Sequence, residues 1–329
     1  MIRCEGLTKV YGEITALKDL NLDIARGQVF GYIGHNGAGK TTTIRILAGL
    51  LEATSGRAYV AGVDVARDRQ KIKSLVGYMP DAFGVYDQMR VWEYLDFFGA
   101  AFKIGRKKRR ERIDFVLSVT DSEDIRDRFV DTLSRGMKQR VGIARTLMHD
   151  PQVLLLDEPA SGLDPQARVQ MRQLLRRLAD GGKTLLVSSH ILPELAAVCD
   201  TIGILHKGHL RAAGPIQRVL SALHRDRLME LKALSGLKEA AEILANDQRC
   251  SHLDGSDTTS GLLRFRFSGD DAGLSELLKR LAERVKLVTL REVPLSLEDA
   301  YMAISGIDLA EEPQAAQAGG PAGKKDAKA

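Results

Sequence analysis

The chain has 329 residues, 44% of them hydrophobic, 28% charged and 5% aromatic. That apolar share builds proper cores and excludes a disordered chain, and the length suggests about two domains. A formal net charge of +5 is too dilute over this length to name nucleic acid as the partner.

Cys4, Cys199 and Cys250 are too few and too widely spaced for a disulfide framework or a metal knuckle, and read as reduced thiols in a cytosolic protein. No apolar run approaches the roughly 20 residues that cross a bilayer. The N-terminus MIRCEGLTKVYG lacks the apolar core of a signal peptide.

In chain order, the apolar, β-branched run 29–33 predicts a strand, 41–51 carries helical apolar spacing, and 57–63 predicts a second strand. From about 87 to 150 the pattern turns helical, with runs at 91–101, 107–120 and 136–149, and reads as a helical insertion. It holds one dense charge run, 103–112 (KIGRKKRRER), with seven basic residues against the single acid Glu111. The run reads as a solvated helix face, with contact to lipid headgroups or to a partner's acidic loop as the alternatives. Residues 153–156 are apolar and run into Asp157, Glu158 and Pro159, a buried parallel strand with acids at its carboxyl end. A helix at 165–179 and a second buried strand at 184–188 follow. This alternation implies a mostly parallel sheet covered on both faces, in an α/β domain at 1–214.

Past Gly214-Pro215 the character changes. Strands at 228–232, 249–253, 262–267 and 286–293, with helices at 237–245 and 272–284, give a βαββαβ order, that of a ferredoxin-like unit. Residues 215–310 are therefore expected to form a small α+β domain, with its hairpin turn at 254–261 and a helix-start box at 296–299. The tail 311–329 has no large apolar residue and is expected to be disordered.

Gly34-His35-Asn36-Gly37-Ala38-Gly39-Lys40-Thr41 fits GxxxxGK[ST] and lies after a strand and before a helix, where its mechanism needs it. Glycines let backbone amides converge on phosphate oxygens, and the helix start adds positive potential. Lys40 then reaches the β and γ phosphates and the Thr41 hydroxyl ligates Mg²⁺, with Thr42 counted among the nucleotide-binding residues. Asp157 can hold the Mg²⁺ hydration shell and Glu158 can polarise an attacking water; the bland reading is a pair of acids capping a strand end. Leu133-Ser134-Arg135-Gly136-Met137-Lys138-Gln139-Arg140 places a serine and a glycine at another helix start, a second phosphate-binding arrangement. One chain cannot easily direct two such ends at one nucleotide, so the second is expected to serve a neighbouring subunit.

This order of motifs resembles the ATP-binding cassette (ABC) family over about residues 2–214. LSRGMKQR is similar to the LSGGQ signature, Ser161-Gly162-Leu163-Asp164 to the D-loop, Ser188-Ser189-His190 to the switch-histidine segment, and Tyr11 to the aromatic that stacks on adenine. The resemblance implies a P-loop NTPase of the ABC ATPase type, its helical subdomain at about 87–150, working as a homodimer or with a paired ATPase subunit. Two ATP with Mg²⁺ would be sandwiched head to tail, with Ser134 and Gly136 touching the γ-phosphate in trans. His190 would bond that phosphate and hold the water and Glu158 in line, so that Lys40, Glu158 and His190 form the catalytic set. Two departures matter. Asp81, after Pro80, stands where the family usually has glutamine; it still reaches Mg²⁺ or its water but cannot donate a hydrogen bond. Arg135 and Met137 replace a glycine and a glutamine of the signature, adding a positive charge near the opposing phosphates and removing a polar contact.

A single cassette without a membrane segment resembles the separate ATPase subunit of a bacterial transporter, cytoplasmic and held at the inner face of the membrane by an integral permease of another chain. Residues 83–99 would form the groove for a permease coupling helix, although Trp92, Tyr94, Phe97 and Phe98 read equally well as helix core. The series GYMPDAFGVYDQMRVWEYLDFFGAAF, together with PLSLEDAYMAISG, resembles cassettes that serve exporter-type permeases. The C-terminal unit reads as a dimer contact, a docking site for a regulator or an edge cover of the cassette, with dimer contact or packing ahead of ligand sensing, and Cys250 with His252 as an incidental pair. The competing expectation is a soluble regulatory or nucleic-acid-associated ATPase with 103–112 as its stripe; the stripe lacks interleaved aromatics, so no nucleic-acid partner is expected.

Overall fold

A computed structural model describes residues 1–82, 84, 88–223, 227–254 and 261–293. The chain begins with β1 (Ile2–Tyr11), β2 (Ile14–Ile24), β3 (Val29–Ile33), α1 (Lys40–Leu47), β4 (Ser55–Val60), β5 (Val63–Asp64), α2 (Arg69–Leu75) and β6 (Val76–Met79). Three helices follow, α3 (Val91–Ala101), α4 (Arg106–Val119) and α5 (Arg135–Leu147). Next come β7 (Val153–Asp157), α6 (Pro165–Asp180), β8 (Thr184–Ser189), α7 (Leu192–Ala196), β9 (Thr201–His206), β10 (His209–Pro215) and α8 (Ile216–Leu223). The last elements are β11 (Arg227–Ser235), α9 (Leu237–Ala245), β12 (Cys250–Asp254), β13 (Leu262–Phe267), α10 (Asp271–Arg284) and β14 (Lys286–Glu292).

Six strands in the order β10-β9-β3-β8-β7-β6 form the main sheet, parallel except where β10 pairs with β9. Strand alternation divides their apolar side chains between two cores. Val29, Ile33, Leu154, Leu156, Leu185 and Val187 pack with α3 to α7, whereas Phe30, Tyr32, Val153, Leu155 and Leu186 pack with α1, α2 and a second sheet. Burial on both faces is why β3, β7 and β8 read as unbroken apolar runs.

That second sheet, antiparallel in the order β2-β1-β4-β5, was not legible in the sequence. Register shifts between Cys4 and Leu7, Leu7 and Lys9, and Lys9 and Val10 interrupt β1 against β2, so the apolar period of two lapses along both strands. The expected strand at 57–63 is in fact two: the chain turns at Ala61 and Gly62, with φ 51° and 79°, and Val60 pairs back on Val63. The expected helix at 41–51 stops at Leu47, because Gly49 (φ 70°) lets its own N–H donate to Ile46 O and that of Leu50 to Arg45 O.

In the helical insertion, the Glu93 carboxylate accepts from Arg90 N at 2.8 Å at the start of α3, and Ser134 Oγ accepts from Met137 N at the start of α5. Arg109 of α4 grips both carboxylate oxygens of Asp96 on α3, at 2.7 and 3.1 Å. The C-terminal sheet runs β12-β13-β11-β14, every pair antiparallel, which with the chain order is a ferredoxin-like arrangement. Its core joins Met229, Leu231, Phe265 and Phe267 of the sheet to Leu244 of α9 and Leu277 and Leu281 of α10. The opposite face buries Glu230 between Arg264 and Arg291. The expected features at 296–299 and 311–329, and most of the turn 254–261, lie outside the described residues.

Candidate functional site

Between β3 and α1 the backbone turns over six residues, with Gly37 at φ 81° and Gly39 at φ 111°, where side chains are strained. A Cβ on Gly39 would stand 2.6 Å from the Ala16 carbonyl oxygen, and one on Gly34 would stand 2.7 Å from that of Leu205. The loop is thus pressed between β2 and β9, with its amides at the start of α1. Lys40 is buried; its Nζ donates to Gly34 O at 2.5 Å and His35 O at 3.4 Å, and lies 3.4 Å from Glu158 Oε1.

The carboxyl end of β7 stands opposite. Asp157, 2% exposed, accepts the Thr41 hydroxyl at 2.7 Å on one oxygen and the Ser188 hydroxyl at 2.6 Å on the other. Glu158 turns out of the strand at φ 52°, and its N–H donates to Ser188 Oγ at 3.1 Å. His190 Nδ1 sits 2.8 Å from Glu158 Oε2. A carboxylate only accepts, so Nδ1 carries the proton in this contact.

Beside them a half-open cavity of about 290 Å³ is lined by His35, Asn36, Gly37, Gly39, Lys40, Thr41 and Thr42 on one side and by Asp81, Asp157 and Glu158 on the other; His190 does not line it. The loop that starts α1 and the Lys40 ammonium line it, which suits a polyphosphate. Thr41, Asp157 and Asp81 offer oxygen only, the donor set of Mg²⁺. Among the described residues no three His, Cys, Asp or Glu gather into a metal cage; an ion held through one or two carboxylates and a substrate phosphate needs none.

Other expected residues lie apart from this cavity. Gly34 and Ala38 sit inside the turn. Tyr11, at the β1–β2 turn, is 44% exposed with the Lys9 ammonium 5.0 Å from its ring centre. Ser134 and Gly136 start α5 and do not line the cavity. Arg135 lies over Gly162, where a Cβ would come 2.5 Å from its Cζ. Ser188, which ties β8 to Asp157 and Glu158, had no role in the sequence reading beyond its motif.

Glu194 was also missed. It lies in α7, four residues after His190, and is 7% exposed, and burial raises its pKa above the ordinary carboxylate value. Arg168 Nε lies 3.2 Å from Glu194 Oε1 while donating to Leu163 O at 2.9 Å, so one guanidinium joins the histidine segment to Ser161-Gly162-Leu163-Asp164. Only the fold brings these segments together.

A second cavity, about 370 Å³ and mainly apolar, opens between α1 and β6 on one side and α3 and α5 on the other. Leu50, Tyr78, Phe98, Phe102 and His149 line it, and Phe102 stacks on His149 at 3.9 Å. Tyr94 is core and Phe97 is exposed.

Residues 17–161 match the family described as ABC transporter. The chain is 33% identical over 308 residues to the bacitracin transport ATP-binding protein BcrA of Bacillus licheniformis, covering 93% of this chain and 97% of that one. It is 30% identical over 310 residues to the linearmycin resistance ATP-binding protein LnrL of Bacillus subtilis, covering 93% and 98%. Among solved structures it is similar to a dimeric post-hydrolysis state of an ATP-binding cassette bound to ADP and Pi, with TM-score 0.59 and 27% identity over 66% of this chain and 99% of that one.

Proposed function

Because this chain belongs to the ABC transporter family as an ATP-binding protein, we propose that it closes head to tail around two ATP and so drives a separate permease that exports its cargo. The observation that carries the chemistry is the meeting of Lys40, Thr41, Asp157 and Glu158 around one cavity, with His190 held against Glu158 from outside it.

In this reading the loop amides and Lys40 take the β and γ phosphates. Thr41, Asp157 and Asp81 hold Mg²⁺, which when bound neutralises phosphate charge. Glu158 orients the water and accepts its proton as the water oxygen bonds to the γ-phosphorus and the bond to ADP breaks. His190 fixes one carboxylate oxygen of Glu158 and Lys40 lies near the other, so the base is positioned before the water arrives.

Ser134 and Gly136 complete the partner's cavity, and Tyr11 carries the adenine. The similarity to a dimeric cassette and the distance of Ser134 and Gly136 from their own chain's cavity support this. The apolar groove at Leu50, Phe98 and Phe102 receives a short helix of the permease. Among the described residues no helix is long and apolar enough to cross a membrane; the permease is a separate membrane chain, and the relatives named as transport and resistance ATP-binding proteins support a place beside it at the inner face of the membrane. The export direction rests on relatives named for bacitracin transport and linearmycin resistance.

The test is a mild-detergent pull-down of the tagged Glu158→Gln chain with ATP and Mg²⁺, followed by mass identification. A multi-helix membrane protein is expected, and its loss on changing Leu50 and Phe102 to Asp would place it in the groove. Recovery of soluble partners or nucleic acid alone would favour the regulatory ATPase instead.

A further inference from the structure

Of the seven basic residues in 103–112, packing accounts for two. Arg109 pairs with Asp96 and donates to Ile104 O at 2.9 Å, and Arg112 donates to Leu147 O at 2.5 Å and Met148 O at 3.2 Å. Lys103, Arg106, Lys107, Lys108 and Arg110 are all exposed, and among the described residues none has an ion-pair partner. The one acid within the run, Glu111, is exposed as well. Since the whole chain carries only +5, its excess positive charge is concentrated here and the remainder is close to neutral.

Local structure opposes this placement. The first turn of α4 has no acid, so its cations sit at the positive end of the helix dipole. Arg106 and Arg110 are also like charges one turn apart. The helix is held by the burial of Ile113, Val116 and Leu117 and by the Arg109 pair. These five charges therefore do not fold the helix, and among the described residues they do not pair.

Their surroundings indicate a partner. Lys103 directly follows Phe102, which is 40% exposed and lines the apolar groove, and Phe97 of α3 is 44% exposed. Lys103 beside the exposed Phe102 ring matches an interfacial surface, where an apolar ring enters the boundary of the bilayer and Lys and Arg meet anionic lipid. The run itself holds no aromatic for stacking nucleic-acid bases.

We propose that Lys103, Arg106, Lys107, Lys108 and Arg110 form a surface for the anionic headgroups of the membrane, on the rim of the permease groove. The proposal rests on the reading that this groove faces a membrane protein, but its test needs no permease.

The full chain is sedimented with vesicles of phosphatidylcholine alone and with vesicles containing about one-third phosphatidylglycerol, at low and high salt. Binding is expected only to the anionic vesicles, and salt should weaken it. Each cation strengthens such binding roughly fivefold, so the Lys107→Gln, Lys108→Gln, Arg110→Gln triple variant should bind on the order of 100-fold more weakly. Its thermal melting and basal ATPase should be unchanged. Equal binding to neutral vesicles, or full binding by the triple variant, would overturn the proposal. So would duplex DNA binding as tightly as the anionic vesicles in the same buffer, since that would make the patch a nucleic-acid surface. Vesicle binding lost while a permease is still recovered refutes this surface alone; vesicle binding kept while no permease is recovered refutes the groove reading alone.

Discussion

Replacing Asp157 with Asn tests both the packing and the metal assignment at the strand end. Asp157 is 2% exposed and takes one hydroxyl on each carboxylate oxygen, Thr41 at 2.7 Å and Ser188 at 2.6 Å. An amide keeps one acceptor oxygen, so one hydroxyl retains a weaker bond and the other faces an NH₂ group. A hydrogen bond to a charged group is worth about 1.5–3 kcal/mol, so the cassette should lose roughly 2–3 kcal/mol. For a domain of this size that lowers Tm by about 4–12 °C. The lost carboxylate should also raise the Mg²⁺ needed for half-maximal ATPase by about tenfold or more. Nucleotide binding without metal should persist, because the loop and Lys40 are intact. Ser188→Ala provides the control: it removes one donor to the carboxylate but leaves the charge, and should cost about 1.5–3 kcal/mol with little change in Mg²⁺ requirement. A melting curve and a Mg²⁺ titration decide the matter. An unchanged Tm together with an unchanged Mg²⁺ requirement in Asp157→Asn would refute the reasoning.

Gly39→Ala should abolish ATP binding while the chain stays folded, since its Cβ meets Ala16 O at 2.6 Å at a φ of 111°; wild-type affinity by nucleotide titration would show that the loop is looser than described. Gly162→Ala should displace the Arg135 guanidinium and cost about 1–2 kcal/mol from its φ of 67°. A melting curve identical to the parent's would contradict that backbone argument. In the C-terminal domain, Arg249 and Arg280 hold the buried Asp247 carboxyl down at about 2 from an ordinary 3.8. A lowered folded pKa gives stability that is full above 3.8 and is lost as pH falls towards 2. With screening by the partly exposed arginines this is about 1–2 kcal/mol. Asp247→Asn should therefore melt lower than the parent at neutral pH and converge with it near pH 2; a constant gap across that window would be the contrary result.

Most of the site was legible because its chemistry is local. Asp157 closes β7 with Glu158 just after it, and Lys40 and Thr41 open α1 after the short loop that follows β3; β3 and β7 are plain in the sequence because both are buried on both faces. Where the sequence reading failed, a local pattern had been broken or was too short. Bulges erase the alternation of β1 and β2, β6 has four residues, and β9 with β10 completes an edge whose pairing depends on β3. The Arg168 link from Glu194 to Leu163 and the clamp of Arg264 and Arg291 on Glu230 join residues far apart in sequence, which no periodicity reports. The ferredoxin-like order was readable because Phe265, Phe267, Leu277 and Leu281 keep strict strand and helix periods.

The most direct test of the central claim is the mass in solution of the Glu158→Gln chain, measured by light scattering after gel filtration with and without ATP and Mg²⁺. The account expects a monomer without nucleotide and a dimer holding two ATP with it, reverting to monomer when Lys40 is also changed to Ala. A chain that binds ATP through its phosphate loop yet keeps one mass under every condition would contradict a cassette that works by closing on its partner.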